Sequence, residues 1–160
     1  MKLFKKHAED ILNGKYDIIA YPACIYNIQN KIWPATGLSN ICKMFRKPLQ
    51  TLVVAKAQRI IDAGDCYMTP LKDNINIAFL LNCYCGHDID NNEDYKKIDY
   101  ELLYKSLTDL LKDSFENHFL KIAFFIDDFI LFGCNIDILE SMIRSIFGGY
   151  DFTITFIYGK

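Results

Sequence analysis

The chain has 160 residues, 51% of them hydrophobic and 24% charged, with a formal net charge of −2. That length and apolar share suit one domain, residues 1–160, with a core of its own, and exclude a disordered or disulfide-dependent chain. The near-balanced charge gives no general pull toward nucleic acid or an anionic membrane, and no apolar run approaches the ~20 residues that a bilayer span needs.

The opening Met1-Lys2-Leu3-Phe4-Lys5-Lys6 turns polar at His7-Ala8-Glu9-Asp10, which is no signal peptide, so a cytoplasmic location is expected. Residues 16–20 form a short apolar run after Asn13-Gly14 and predict a buried strand ending at Tyr21-Pro22. Leu38, Ile41, Cys42 and Phe45 repeat at helical spacing, so 37–47 reads as a helix stopped before Pro48. Val53, Ala57, Ile60 and Ile61 predict a second helix closed by Gly64. Residues 66–69 and 75–83 read as strands separated by the turn Lys72-Asp73-Asn74, and the polar stretch 86–97 as a surface loop.

Asp99 is placed to cap a helix whose Leu103, Leu107, Leu110 and Leu111 form one stripe. A strand over 121–126 follows, then a loop over 127–134 containing one glycine, Gly133. Asn135 caps the next helix, Leu139, Ile143, Ile146 and Phe147 make its buried face, and Gly148-Gly149 ends it. The last strand, 152–158, alternates Phe152, Ile154 and Phe156 against Thr153 and Thr155. The fold class expected is a three-layer α/β/α domain with a mixed central sheet. In such a sheet, ligands gather where strand C-termini meet helix N-termini, which draws attention to 127–136.

The six cysteines (24, 42, 66, 83, 85 and 134) lie mostly in apolar segments and read as reduced and buried. One cluster, Cys83-Tyr84-Cys85-Gly86-His87, would place three metal ligands on one strand face, but no second pair completes a common set. A strand-end core pair is the commoner explanation, so neither metal nor cofactor is expected. His7, His87 and His118 lack the context of a catalytic triad, and no P-loop or dinucleotide fingerprint is present.

Four stretches together resemble the macro domain, a family that binds ADP-ribose and related nucleotides. Glu9-Asp10-Ile11 with Tyr16-Asp17-Ile18-Ile19-Ala20 is similar to the family's opening Gly-Asp-Ile and first strand. Ala35-Thr36-Gly37-Leu38-Ser39 resembles its small-residue loop, and Ala63-Gly64-Asp65-Cys66-Tyr67-Met68-Thr69 its Gly-Asp strand. From Asp99 to Tyr158 the order helix, strand, loop, helix, strand follows the family's finish.

The resemblance implies site residues position by position. Asp10 stands where the family's aspartate accepts the adenine amino group, though an N-cap or a solvated turn acid fits it equally. Cys24 aligns with the family's ribose-contacting asparagine; Asn27, three residues on, would replace it only in a remodelled loop. Thr36, Gly37 and Leu38 would offer backbone amides to a phosphate, unless Gly37 serves only the turn. Tyr158 would stack on the base. Trp33 would cover the pocket or, as the commoner case, anchor packing.

The late loop departs from the pattern. The family wraps the diphosphate in a glycine-rich run, whereas Ile130, Leu131, Phe132 and Gly133 stand at those positions here. Bulky side chains would crowd a pyrophosphate, and Asp127-Asp128 would repel it unless they point away. That acidic pair also reads as an acid/base dyad or a magnesium site if a turn joins it, with solvated loop acids the commoner case. Cys134, near a helix N-terminus, is placed to have a lowered thiol pKa, with a buried inert thiol as the alternative.

The function implied is binding of an ADP-ribose-type nucleotide or an ADP-ribosylated target. Weak hydrolysis would extend it, by removing ADP-ribose from a modified target or the terminal phosphate from ADP-ribose 1″-phosphate. The rival is a catalytically inactive scaffold that docks a protein through Phe129, Ile130, Leu131 and Phe132. The abundance of Ile, Asn, Lys and Tyr suits an AT-rich genome such as a virus or phage, in which case a host factor would be the partner.

Overall fold

The structure is a computed structural model and describes residues 1–7, 15–24, 55, 58, 61–83 and 98–159; the side chains of Cys24, Asn82, Cys83 and Leu131 are outside that set. In chain order the described elements are strands β1 (Lys2–His7), β2 (Ile18–Cys24), β3 (Cys66–Lys72) and β4 (Ile75–Cys83), then helix α1 (Tyr100–Glu116). Strand β5 (Lys121–Phe125), helices α2 (Ile126–Leu131) and α3 (Ile136–Phe147), and strand β6 (Thr153–Tyr158) complete them. The six strands make one mixed sheet ordered β1-β6-β5-β2-β4-β3. Strands β1, β6, β5, β2 and β4 run parallel, and β3 alone is antiparallel, joined to β4 by a tight turn with Asp73 at φ 47°.

Both sheet faces are buried, which makes the domain three-layered. On one face Ile18, Ala20, Ala78, Leu80, Ile122, Phe124, Ile154 and Phe156 pack against α1 and α3. The opposite face presents Ile19, Tyr21, Ile77, Phe79, Leu81, Ala123 and Ile157, packed with Ala55 and Ile61 of the segment before β3. Two covered faces explain why β2, β4 and β5 read as continuous apolar runs: a strand buried on both sides loses the polar half of its alternation.

The helices behave as their sequences require. Asp99 Oδ1 accepts the amides of Glu101 and Leu102 at 2.9 and 3.1 Å, starting α1, and Leu103, Leu107 and Leu110 are fully buried. Asn135 Oδ1 accepts the amide of Asp137 at 2.9 Å, and α3 buries Leu139, Ile143, Ile146 and Phe147. Each cap satisfies amides that the first helical turn leaves open.

Three elements differ from the sequence reading. Residues 2–7 form an edge strand that no apolar alternation announces, because four of its six residues are Lys or His. Strand β2 continues through Tyr21-Pro22 to Cys24. Pro22 is tolerated because β2's register with β5 ends at Ala20↔Phe124; beyond it only β4 lies alongside. Strand β5 stops at Phe125, and Ile126 opens helix α2 where a loop was expected. The helices expected over 37–47 and from 53, apart from helical Ala55, and the loop over 86–97 lie outside the described residues.

Candidate functional site

The five parallel strands bring their C-terminal ends to one edge of the sheet, where His7, Tyr158, Phe125, Cys24 and Cys83 end β1, β6, β5, β2 and β4. This is the edge at which α/β sheets hold ligands. Of the sequence-proposed residues, Cys24 ends β2 with its Cα opposite that of Cys83, and Tyr158 ends β6 opposite His7. The Tyr158 ring is half-buried and tilted by 43° against the His7 imidazole, centroids 5.7 Å apart. His7 is a neighbour the sequence reading missed; a basic hexapeptide carries no periodic signal to reveal it. Asp10, Asn27, Trp33, Thr36, Gly37 and Leu38 lie outside the described residues.

Helix α2 sits between the ends of β5 and the start of α3. Ile126 and Phe129 are fully buried and Phe132 nearly so, at 3% exposure, in the core beneath α3; Ile130 points outward at 52%. The apolar run is therefore a helix face that helps build the core, which removes Phe129 and Phe132 as a docking surface. Apolar residues at 126, 129 and 132 are three apart, the spacing that makes one helical side.

The amides at the exit of this segment are engaged within the fold. Phe132 donates its amide to Asp128 O, Gly133 to Ile130 O and Cys134 to Phe129 O, at 3.2, 2.9 and 2.9 Å. Asn135 donates its amide to the Tyr100 hydroxyl at 3.0 Å. Gly133 closes α2 at φ 79°, a left-handed conformation that glycine adopts without strain. The amides of Phe132 and Gly133 are thus already used, unlike those of an open glycine-rich loop.

The two acids of α2's first turn part company. Asp127 is exposed and its carboxylate accepts the Gly159 amide at 3.0 Å, tying α2 to the residue after β6. Asp128 is buried, at 1% exposure. Successive helical residues diverge by roughly 100°, so the pair does not act as a dyad on one face. Among the described residues no group of three or more His, Cys, Asp or Glu could hold a metal ion. The cluster of Cys83, Cys85 and His87 falls outside that test, because Cys85, His87 and the Cys83 side chain are not described.

Cys134 is a correction to the activated-thiol option. It is 6% exposed, and burial pushes its thiol up to about 12. Loss of hydration for the thiolate outweighs any influence of the following helix. Cys66 is likewise buried, with its thiol pushed up first by burial and then by the nearby charges of Asp113, Asp109 and Asp65. Beside the C-terminal end of β4, Gly64 takes φ +87° and donates its amide to Leu81 O at 2.7 Å, while Lys105 lies across it and pairs with Asp65 at 3.5 Å. No helix among the described residues is long and apolar enough to cross a membrane.

No protein-family model matches the sequence, and no curated protein matches it. The structure nevertheless superposes on solved macrodomains over almost its whole length. The macrodomain of Mycobacterium tuberculosis DarG aligns with a TM-score of 0.74 at 10% identity, covering 98% of both chains. A macrodomain protein from Streptomyces coelicolor aligns at 0.70 and 11%, covering 99% of both. Thermosipho africanus DarTG, solved in complex with ADP-ribose, aligns at 0.69 and 9%, covering 93% of this chain and 39% of that one. The chain has the macrodomain fold, and the resemblance drawn from short sequence motifs holds at the level of the whole architecture.

Proposed function

We propose that this chain binds an ADP-ribose-type nucleotide, free or attached to a modified target, in the crevice at the C-terminal edge of its parallel strands. The observation that carries the reading is the near-complete superposition on macrodomains, one of which was solved with ADP-ribose bound. In this reading Asp10 accepts the adenine amino group, the amides of Thr36, Gly37 and Leu38 meet phosphate, and Tyr158 stacks on the base with His7 behind it. Cys24 and Asn27 border the ribose, while α2 contributes the exposed Ile130 side chain and the turn at Gly133.

Calorimetric titration with ADP-ribose tests the proposal. Micromolar binding that Asp10→Ala weakens about tenfold or more is the expected outcome, since loss of one charge-assisted hydrogen bond costs about 1.5–3 kcal/mol. Absence of heat with millimolar ligand would sink it. Release of ADP-ribose from a modified peptide above the uncatalysed rate would add hydrolysis to the reading; no release would leave a binding module.

A further inference from the structure

Six large hydrophobic side chains stand exposed among the described residues: Phe4, Tyr104, Phe115, Ile130, Ile138 and Tyr150. Four of them, Tyr104, Phe115, Ile138 and Tyr150, lie on α1, on α3 or in the turn after α3. Single exposed apolar residues are ordinary; a line of them on one layer marks a surface that meets something. Tyr104 rises between two hollows of about 430 and 410 Å³. Tyr100, Glu101, Tyr104 and Met142 line the first. Tyr104, Asp137, Ile138, Ser141, Met142 and Ser145 line the second. Because they share Tyr104 and Met142, they make one groove with a wall from each helix. Toward the C-terminal ends of both helices, the Phe115 and Tyr150 rings meet edge to face, centroids 5.6 Å apart.

The charge of the groove is one-sided. Glu101 and Asp137, both exposed, line it, and no lysine or arginine does. Within α1 and α3 six carboxylates stand against three cations. Two of those cations are engaged away from the groove, Lys105 with Asp65 at 3.5 Å and Arg144 with Glu140 at 3.4 Å. Lys5 of β1 is likewise held by Glu140, at 3.0 Å.

We propose that this groove docks a basic amphipathic helix of a protein partner. Apolar residues at helical spacing enter the two hollows around Tyr104, and lysines or arginines on the flanks meet Glu101 and Asp137. Two helices side by side leave a trough that the side-chain ridge of a third can fill. Only helices line it, so an extended peptide would gain no ladder of backbone hydrogen bonds there. The acids disfavour other occupants: a second copy would set one acid-lined groove against another, and an anionic bilayer would be repelled. No residue assigned to the nucleotide crevice lines the groove, so the proposal stands or falls independently of that reading.

The test uses the full chain and a synthetic helical peptide with leucines at i, i+3, i+4 and i+7 and lysines on both flanks. Amide chemical-shift mapping and calorimetry at physiological salt follow its binding. One control peptide keeps the leucine pattern with glutamates for lysines; the other shuffles the lysine peptide so that it has no apolar face. The lysine peptide is expected to bind with micromolar affinity, with shifts confined to α1 and α3 around Tyr104, Ile138 and Met142. Both controls should bind at least about tenfold more weakly. Tyr104→Ser combined with Ile138→Ser should weaken the lysine peptide about tenfold or more, and Glu101→Gln combined with Asp137→Asn about threefold or more. Thermal melting checks each variant, and the shift map on the wild type decides alone if a variant fails to fold. A shuffled peptide that binds as tightly would reduce the effect to general charge attraction and overturn the proposal. Equal binding of the glutamate peptide, shifts centred elsewhere, or no binding would overturn it too. Sedimentation that shows a dimer of the chain, dissolved by Tyr104→Ser, would make a second copy the occupant instead.

Discussion

At the residue scale, burial decides what each polar group can do. Cys134 stands one residue before a helix cap, a position that favours a thiolate when solvent reaches it. The core reaches it instead, and its thiol is pushed up to about 12. The expected consequence is slow chemistry. Iodoacetamide labelling of the native chain near neutral pH, followed peptide by peptide by mass spectrometry, should modify Cys134 at least about a hundredfold more slowly than an unfolded cysteine. Labelling at the unfolded rate would show the thiol to be accessible. Asp99 and Asn135 illustrate the opposite case: their capping was legible in the sequence because a cap is satisfied by neighbours two or three residues away.

At the scale of elements, α2 separates reading from outcome. A run of Phe129, Ile130, Leu131 and Phe132 with two preceding acids reads as an apolar loop, and its six helical residues are too few for periodicity to speak. Packing against α3 and the sheet decides it. Truncating Phe129 to Ala should cost about 3–5 kcal/mol in urea unfolding, because the side chain is fully buried beside Phe124, ring centroids 5.9 Å apart. Ile130→Ser, on the outward side, should stay within about 0.5 kcal/mol. Equal and small losses at both positions would return the segment to a surface loop. The same structural fact shifts the search for a phosphate contact away from α2 and toward the segment around Gly37.

Across the whole molecule, stability is graded from the sheet centre to its edge. Strands β2, β4 and β5 are covered on both faces, whereas β1, among the described residues, pairs only with β6 and exposes Lys2, Phe4, Lys5, Lys6 and His7. Lysines along an edge also discourage pairing with another chain. Lys5 fastens β1 to α3 through Glu140 at 3.0 Å, and Arg144 joins the same carboxylate at 3.4 Å. The hydrogen bond from Lys5 holds the Glu140 carboxyl below its ordinary range, and the same bond raises Lys5. For Glu140 the stabilisation is present above the ordinary carboxylate range and is lost as pH falls through its depressed folded value; for Lys5 it is present below the ordinary lysine value and is lost as pH rises past its raised one. Amide exchange should therefore be faster in β1 than in β5 at neutral pH, and Glu140→Gln should speed it further there. That added effect should vanish in acid, once the wild-type carboxyl is itself protonated. Exchange in β1 as slow as in β5 would contradict this grading. Lys5 is exposed and Glu140 only half-buried, so the effect of the pair is local and salt-sensitive.

Much of the architecture was determined by the sequence alone: the α/β class, the caps at Asp99 and Asn135, the stripes of α1 and α3, and the apolar strands were all legible. Those features depend on interactions between near neighbours or on periodic burial, which a linear pattern records directly. The macrodomain resemblance was visible in short motifs spread along the chain, since their order preserves topology. Only the tertiary structure decided the rest. It made a basic hexapeptide into β1, let Pro22 continue a strand, turned 126–131 into a helix, and buried Cys134 and Asp128. Each of these outcomes depends on a partner distant in sequence: β6 beside β1, the end of β5 beside Pro22, α3 and the sheet against α2. A sequence states which residues prefer to be buried, but tertiary contacts choose which surfaces meet, and the character of the site follows from that choice.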